Sequence, residues 1–161
     1  MITQLENLAD IIADAIGESA EVLVTAGQPA APSGDGDCQT VVYVWGQQVF
    51  DLDQNLETSC VVRSRFTMFY QIQTCYPEGW EDLIHTEDAS DAAARLYTLM
   101  SQVWCGLVDA KDGGYLCDAD CKFVELAPLE TQARQGGAIS ALGGVTIPYM
   151  CETAEESPAS P

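Results

Sequence analysis

Basic side chains are nearly missing from this sequence. Its 161 residues hold six Lys and Arg and one histidine against 25 Asp and Glu, a formal net charge of −19. Nucleic acids and anionic bilayers are held by clustered cations, so this composition excludes wrapping of DNA or RNA and attraction to a charged membrane. It permits DNA to pass beside the protein, because an acidic wall repels a polyanion. Long apolar runs are missing too. None approaches the roughly 18 residues of a membrane-spanning helix. The first residues, MITQLENLADIIADAIGES, lack the basic region and apolar block of a secretory signal, which predicts an intracellular protein. No internal repeat is visible.

The shortage of histidine also limits the chemistry. His85 falls in an expected loop beside Asp82 and Glu87 and reads as a solvated side chain. Nucleophilic catalysis by Ser or Cys needs a positioned base, and nothing here is spaced to supply one. The seven cysteines are Cys38, Cys60, Cys75, Cys105, Cys117, Cys121 and Cys151. Their odd number and the lack of a signal predict mostly reduced thiols. The tightest pair, Cys117 and Cys121, reads as free thiols, with a disulfide or half of a zinc site as alternatives. Its spacing is not the CxxC of thiol oxidoreductases. Asp51/Asp53 and Asp118/Asp120 match no EF-hand and read as solvated surface. Gly136-Gly137 and Gly143-Gly144 lack the strand–glycine–helix setting of a phosphate cradle. The chain therefore reads as a non-enzyme, with no catalytic residue, metal ligand or cofactor predicted.

A core is within reach, since 47% of the residues are hydrophobic. One domain is predicted over 1–151, followed by a disordered acidic tail at 152–161, ETAEESPASP. The most informative stretch is Cys60 to Pro77, CVVRSRFTMFYQIQTCYP. Its even positions, Val62 to Tyr76, are mostly apolar. Its odd positions include Arg63, Arg65, Thr67, Gln71 and Gln73, with Phe69 as the exception. Such period-two alternation predicts a strand with one face on a core and one toward water.

Around that strand, Thr3 with Glu6 fits a capping box for a first helix whose stripe is Leu5, Leu8, Ile12 and Ile16, with Gly17 as its stop. Glu21–Ala26 and Cys38–Gln48 read as strands, separated by a Pro/Gly-rich loop at Gly27–Asp37. Phe50–Ser59 reads as a connection. Glu87–Leu107 carries the strongest helical periodicity, followed by a turn at Asp112-Gly113-Gly114. Cys121–Leu126 reads as a strand, Leu126–Gly137 as an irregular link and Gly144–Cys151 as a final strand, with Pro148 favouring an edge or a bulge. The order α-β-β-β-α-β-β has no alternating βαβ run. It predicts an α+β domain: a largely antiparallel or mixed sheet of about four to five strands, two helices on one face and a long β-hairpin.

Several of these segments together resemble the tail terminator proteins of long-tailed, siphovirus-type bacteriophages of actinobacteria. They are the short first helix, Cys60–Arg65 (CVVRSR) entering the long strand and Thr74–Pro77 (TCYP) ending it. They also include Asp91–Arg95 (DAAAR) and Val103–Leu107 (VWCGL) in the second helix. Pro128–Gln132 (PLETQ) and Gly136-Gly137 then lead into Val145–Tyr149 (VTIPY). The resemblance spans roughly residues 1–151 and implies a structural virion protein at the head–tail junction. Such a protein is a homo-oligomer, a hexameric ring that caps the tail tube and joins it to the neck or connector. Its partners are then the tail tube protein and neck proteins, with genomic DNA passing through the lumen unbound. It would assemble in the host bacterial cytoplasm and reside in the virion. The alternative in the same class is another neck or head-completion protein, a stopper or adaptor; a small thiol- or metal-dependent enzyme built on Cys117 and Cys121 is the reading from a different class. On the ring reading, the polar face of the long strand, with Arg63, Arg65, Gln71 and Gln73, is expected at a subunit or partner interface.

Overall fold

In a computed structural model of the protein, the described residues are 2–30, 40–52, 61–75, 87–114, 116, 124–135 and 138–153. Among these residues, two helices cover one face of a five-stranded mixed sheet, an α+β architecture. In chain order the elements are helix α1 (Ile2–Ile16), a 3-10 turn at Gly17–Ser19, and strands β1 (Glu21–Val24), β2 (Val41–Leu52) and β3 (Val61–Cys75). Helix α2 (Glu87–Asp112) and strands β4 (Glu125–Gln135) and β5 (Ala138–Thr153) follow.

The sheet order is β1-β2-β3-β5-β4. β1 runs parallel to β2, and every other neighbouring pair is antiparallel. β3 is thus the central strand, zipped to β2 from Val41↔Gln73 to Leu52↔Val62 and to β5 from Val61↔Thr153 to Cys75↔Ala138. The β2–β3 ladder is antiparallel, as expected of a hairpin. The segment 53–60 that would close the predicted long hairpin lies outside the described residues, as do 31–39 and 154–161.

The register fixes which side chains share a face. From Phe66 to Ile72, even positions of β3 stand beside even positions of β2 and odd positions of β5. That face carries Val42, Val44, Phe66, Met68, Tyr70, Ile72, Ala141, Val145 and Ile147, all at most 1% exposed. Onto it α1 lays Leu5, Leu8, Ile12 and Ile16, and α2 lays Leu96, Leu99, Val103 and Leu107. The 3.6-residue period keeps those positions on one stripe, while Glu6, Asp10 and Asp14 stay exposed. Burying large side chains like these contributes about 1.5–3 kcal/mol each, and this face is where most of that burial occurs.

Several boundaries differ from the sequence expectation. α1 already includes Thr3, which is therefore not its N-cap, but it stops at Gly17 as predicted. Gly17 has φ +57°, a left-handed conformation that costs glycine little. α2 runs past Leu107 to Asp112 because Ala110 continues its buried stripe. The predicted irregular link at Leu126–Gly137 is instead most of β4. Two register shifts, between Ala127 and Glu130 and between Gln132 and Gln135, break its alternation and hide it from a period-two reading. β5 begins at Ala138, well before Gly144, and extends past Cys151 to Thr153. Pro148 does fall at a bulge. The β3–β5 register shifts between Ser64↔Met150 and Phe66↔Ile147, and β4 reaches only as far as Thr146.

Candidate interface on the second face of the central strand

From Thr67 to Gln73, the odd positions of β3 point away from the helices. The register sets Thr67, Phe69, Gln71 and Gln73 beside Gln47, Trp45, Tyr43 and Val41 of β2 on one side. On the other side stand Thr146, Gly144, Leu142 and Ser140 of β5. This surface is part aromatic and part amide and hydroxyl. Trp45 and Phe69 stack with ring centroids 5.7 Å apart and planes at 22°, within the offset geometry that aromatic pairs prefer. The Thr67 and Thr146 hydroxyls meet at 3.2 Å. Farther along, Gln132 Oε1 accepts from Gln71 Nε2 at 3.4 Å and from Ser140 Oγ at 3.2 Å.

Half of this face is not open to water, contrary to the sequence expectation. Gln71 and Gln73 are only 8% and 5% exposed, and Val41 and Trp45 are buried as well. Alternation in β3 predicts which residues share a face but not whether that face is covered. Gln71 Oε1 is buried without a hydrogen-bond partner, an arrangement that costs about 1–3 kcal/mol relative to a satisfied acceptor. Arg63 and Arg65, the other expected interface residues, lie in β3 with Asp51 and Val49 as their register partners on β2. They stand at the far end of the strand from Gln71 and Gln73, so the four do not form one contiguous patch.

The core face contains two further unpartnered hydroxyls, Tyr70 OH and Thr74 Oγ1. The Tyr70 ring end lies directly over Gly143, where a Cβ would collide with it. Burial raises the Tyr70 pKa above its ordinary value, because the phenolate cannot be solvated there.

The other candidate residues are distributed without convergence. His85, Asp53, Cys117, Asp118, Asp120 and Cys121 lie outside the described residues. Cys105 is a free, exposed thiol on α2. Among the described residues, no three His, Cys, Asp or Glu side chains stand close enough to hold a metal ion. No described helix is long and apolar enough to cross a membrane. Among the described residues, two grooves flank α2. One of about 430 Å³ is lined by Ser19, Arg95, Thr98, Leu99 and Gln102, and an apolar one of about 280 Å³ by Met100, Ser101, Trp104, Pro128 and Leu129. The arrangement offers packing surface and amides and hydroxyls that hydrogen-bond across the strands.

Sequence reasoning missed Trp45, Gln132 and Ser140 as members of this face. Phe69, the apolar residue at an odd position, was the available signal. It needed an apolar neighbour on the adjoining strand, and Trp45 has the matching parity. Gln132 carried no such signal, because β4 was hidden by its bulges. A scan against protein-family models finds no match to this chain, and a search of curated proteins finds no significant relative.

Proposed function

We propose that the protein is a structural component of a phage head–tail junction, a tail terminator that closes the tail tube as a homo-oligomeric ring, hexameric by resemblance. The observation that carries this reading is the long-stranded central sheet, with β3 of 15 residues flanked by strands of 12 and 16. It supports the reading because extended ladders of this length supply lateral surface for subunit contact. The charge of −19 suits the wall of a conduit through which DNA slides without binding. The partners are then further copies of the chain, the tail tube protein and neck proteins, and the location is the virion.

Electron microscopy of particles with the protein labelled tests this reading. Density at the tube–neck boundary is expected. Absence from purified virions, or a position on the portal side of the neck, would overturn the terminator assignment. Within this proposal the subunit contact runs along the Arg63–Arg65 end of β3, because Gln71 and Gln73 are already buried in the single chain. Reversing both arginines to Glu is expected to weaken ring assembly at least about tenfold, equivalent to ~1.4 kcal/mol, with the melting temperature little changed. Light scattering beside a thermal melt checks it.

A further inference from the structure

The two edges of the sheet are unequally protected. An edge strand presents unpaired backbone groups that template the pairing of another chain, and proteins blunt such edges with proline, bulges and charge. β4 has all three. Pro128 offers no N–H, two register shifts interrupt the ladder, and Glu125 and Glu130 are exposed. β1 has no proline and no register shift along its ladder with β2. Among the described residues, the large hydrophobics that stand exposed are Leu23 at 36%, Val24 at 45% and Tyr97 at 61%. Two of these three sit in the four residues of β1.

The backbone direction of β1 follows from one hydrogen bond. Thr25 N–H donates to the Val44 carbonyl at 2.8 Å. Within a strand, the N–H and C=O of one residue point to the same side and alternate along the chain. Residues 21, 23 and 25 therefore face β2, and Val22 and Val24 turn their backbone groups outward. Among the described residues nothing pairs with these two donors and two acceptors, which stand on the sheet's edge beside the exposed Leu23 and Val24 side chains.

We propose that this edge pairs with the same edge of a second copy, antiparallel about a two-fold axis centred on Leu23. In that register Val22 lies opposite the partner's Val24, and Val24 opposite the partner's Val22, so all four outward groups of each copy are matched. Leu23 meets the partner's Leu23 at a non-hydrogen-bonded position, where side chains approach most closely. The two-fold register is self-complementary, and local charge favours this edge over β4. Glu21 falls opposite the partner's Thr25, so no carboxylates face one another. Pairing β1 with a partner's β4 would instead meet Pro128 and bring Glu21 to an edge carrying Glu125 and Glu130. The ladder is short and covers far less than the roughly 800 Å² per partner of a standard interface, which makes the dimer weak and concentration-dependent. Two copies at −19 repel, so salt strengthens this association, the reverse of an interface held by ion pairs. The pairing goes beyond the virion reading and does not rest on it.

Amide exchange by NMR, with sedimentation on the same samples, tests the proposal from about 10 µM to about 1 mM protein at low salt and at about 0.5 M salt. Expected is a dimer favoured by concentration and by salt. Exchange at Val22 and Val24 slows at least about tenfold in the dimer, while Leu23 and Thr25, already bonded to β2, stay unchanged. Leu23→Lys should abolish the dimer and leave the melting temperature intact, since Leu23 faces away from the helices. A monomer under all conditions would overturn the proposal. So would a dimer with unchanged Val22 and Val24 exchange, a Leu23→Lys dimer as strong as wild type, or protection of these amides only by a different protein.

Discussion

The two faces of β3 carry residues from the same fifteen-residue strand and do different work. On the helix side, Phe66, Met68, Tyr70 and Ile72 are at most 1% exposed and join a continuous apolar layer. On the other side, Thr67 and Phe69 are half-buried, Gln71 and Gln73 are buried, and the contacts are an aromatic stack, a hydroxyl pair and an amide network. The first face is stabilised by area removed from water, which is non-directional. The second depends on pairing polar groups, whose net contribution is small and whose failures are costly. One strand thus separates what makes the protein fold from what gives its surface a specific shape.

The sharpest way to break that comparison is to truncate one aromatic on each face. Phe66→Ala empties a fully enclosed site and is expected to cost about 3–5 kcal/mol in denaturant unfolding. Phe69→Ala should cost less than half of that, because its ring is half-exposed and loses chiefly the Trp45 stack. Equal losses would mean that the second face is as much a core as the first.

A smaller effect is expected at Tyr70, where a polar group sits on the apolar face. Its hydroxyl is buried without a partner, so Tyr70→Phe should raise stability near neutral pH by about 1 kcal/mol. The pH dependence has a definite sign. The folded-state pKa is raised above the ordinary value of 10.0, so above about pH 10 the unfolded chain releases a proton that the folded one retains. Stability from this group therefore falls as pH rises through that range, by up to ~1.4 kcal/mol per pH unit. The gap between Tyr70→Phe and wild type should widen there, as thermal melts across that range would show. A constant gap would place the Tyr70 hydroxyl in contact with water. The smallest effect belongs to Thr67→Val on the second face. Losing the hydroxyl pair with Thr146 should cost about 0.2–1 kcal/mol by urea titration.

How much of this was legible in the sequence differs between the same two faces. The apolar parity of Phe66 to Ile72 and the stripes of α1 and α2 gave the element order and the helix-covered core, because burial on one side writes a regular period. The burial of Gln71 and Gln73 left no trace, since a glutamine reads alike whether it faces water or another amide. β4 was invisible for a further reason: its bulges and Pro128 erase the alternation by which strands are recognised. Pro128 is tolerated because β4 is an edge. The expected interface residues, Arg63, Arg65, Gln71 and Gln73, were legible only as a polar parity, which does not tell whether a polar side chain on that face is open or covered.

The position of β5 also bears on how the chain reaches this structure. β3 lies between β2, which precedes it, and β5, which starts at Ala138. A ribosome delivers β3 with only one neighbour available and then produces α2 and β4 before the other flank can close. Until α2 emerges the apolar side of β3 lacks its cover, and until β5 emerges it lacks its second ladder, an opening for mispairing of the kind that slow, non-local sheets suffer. Residues 1–60, synthesised first, carry ten carboxylates and no Lys or Arg, a charge that opposes association of nascent chains during that wait.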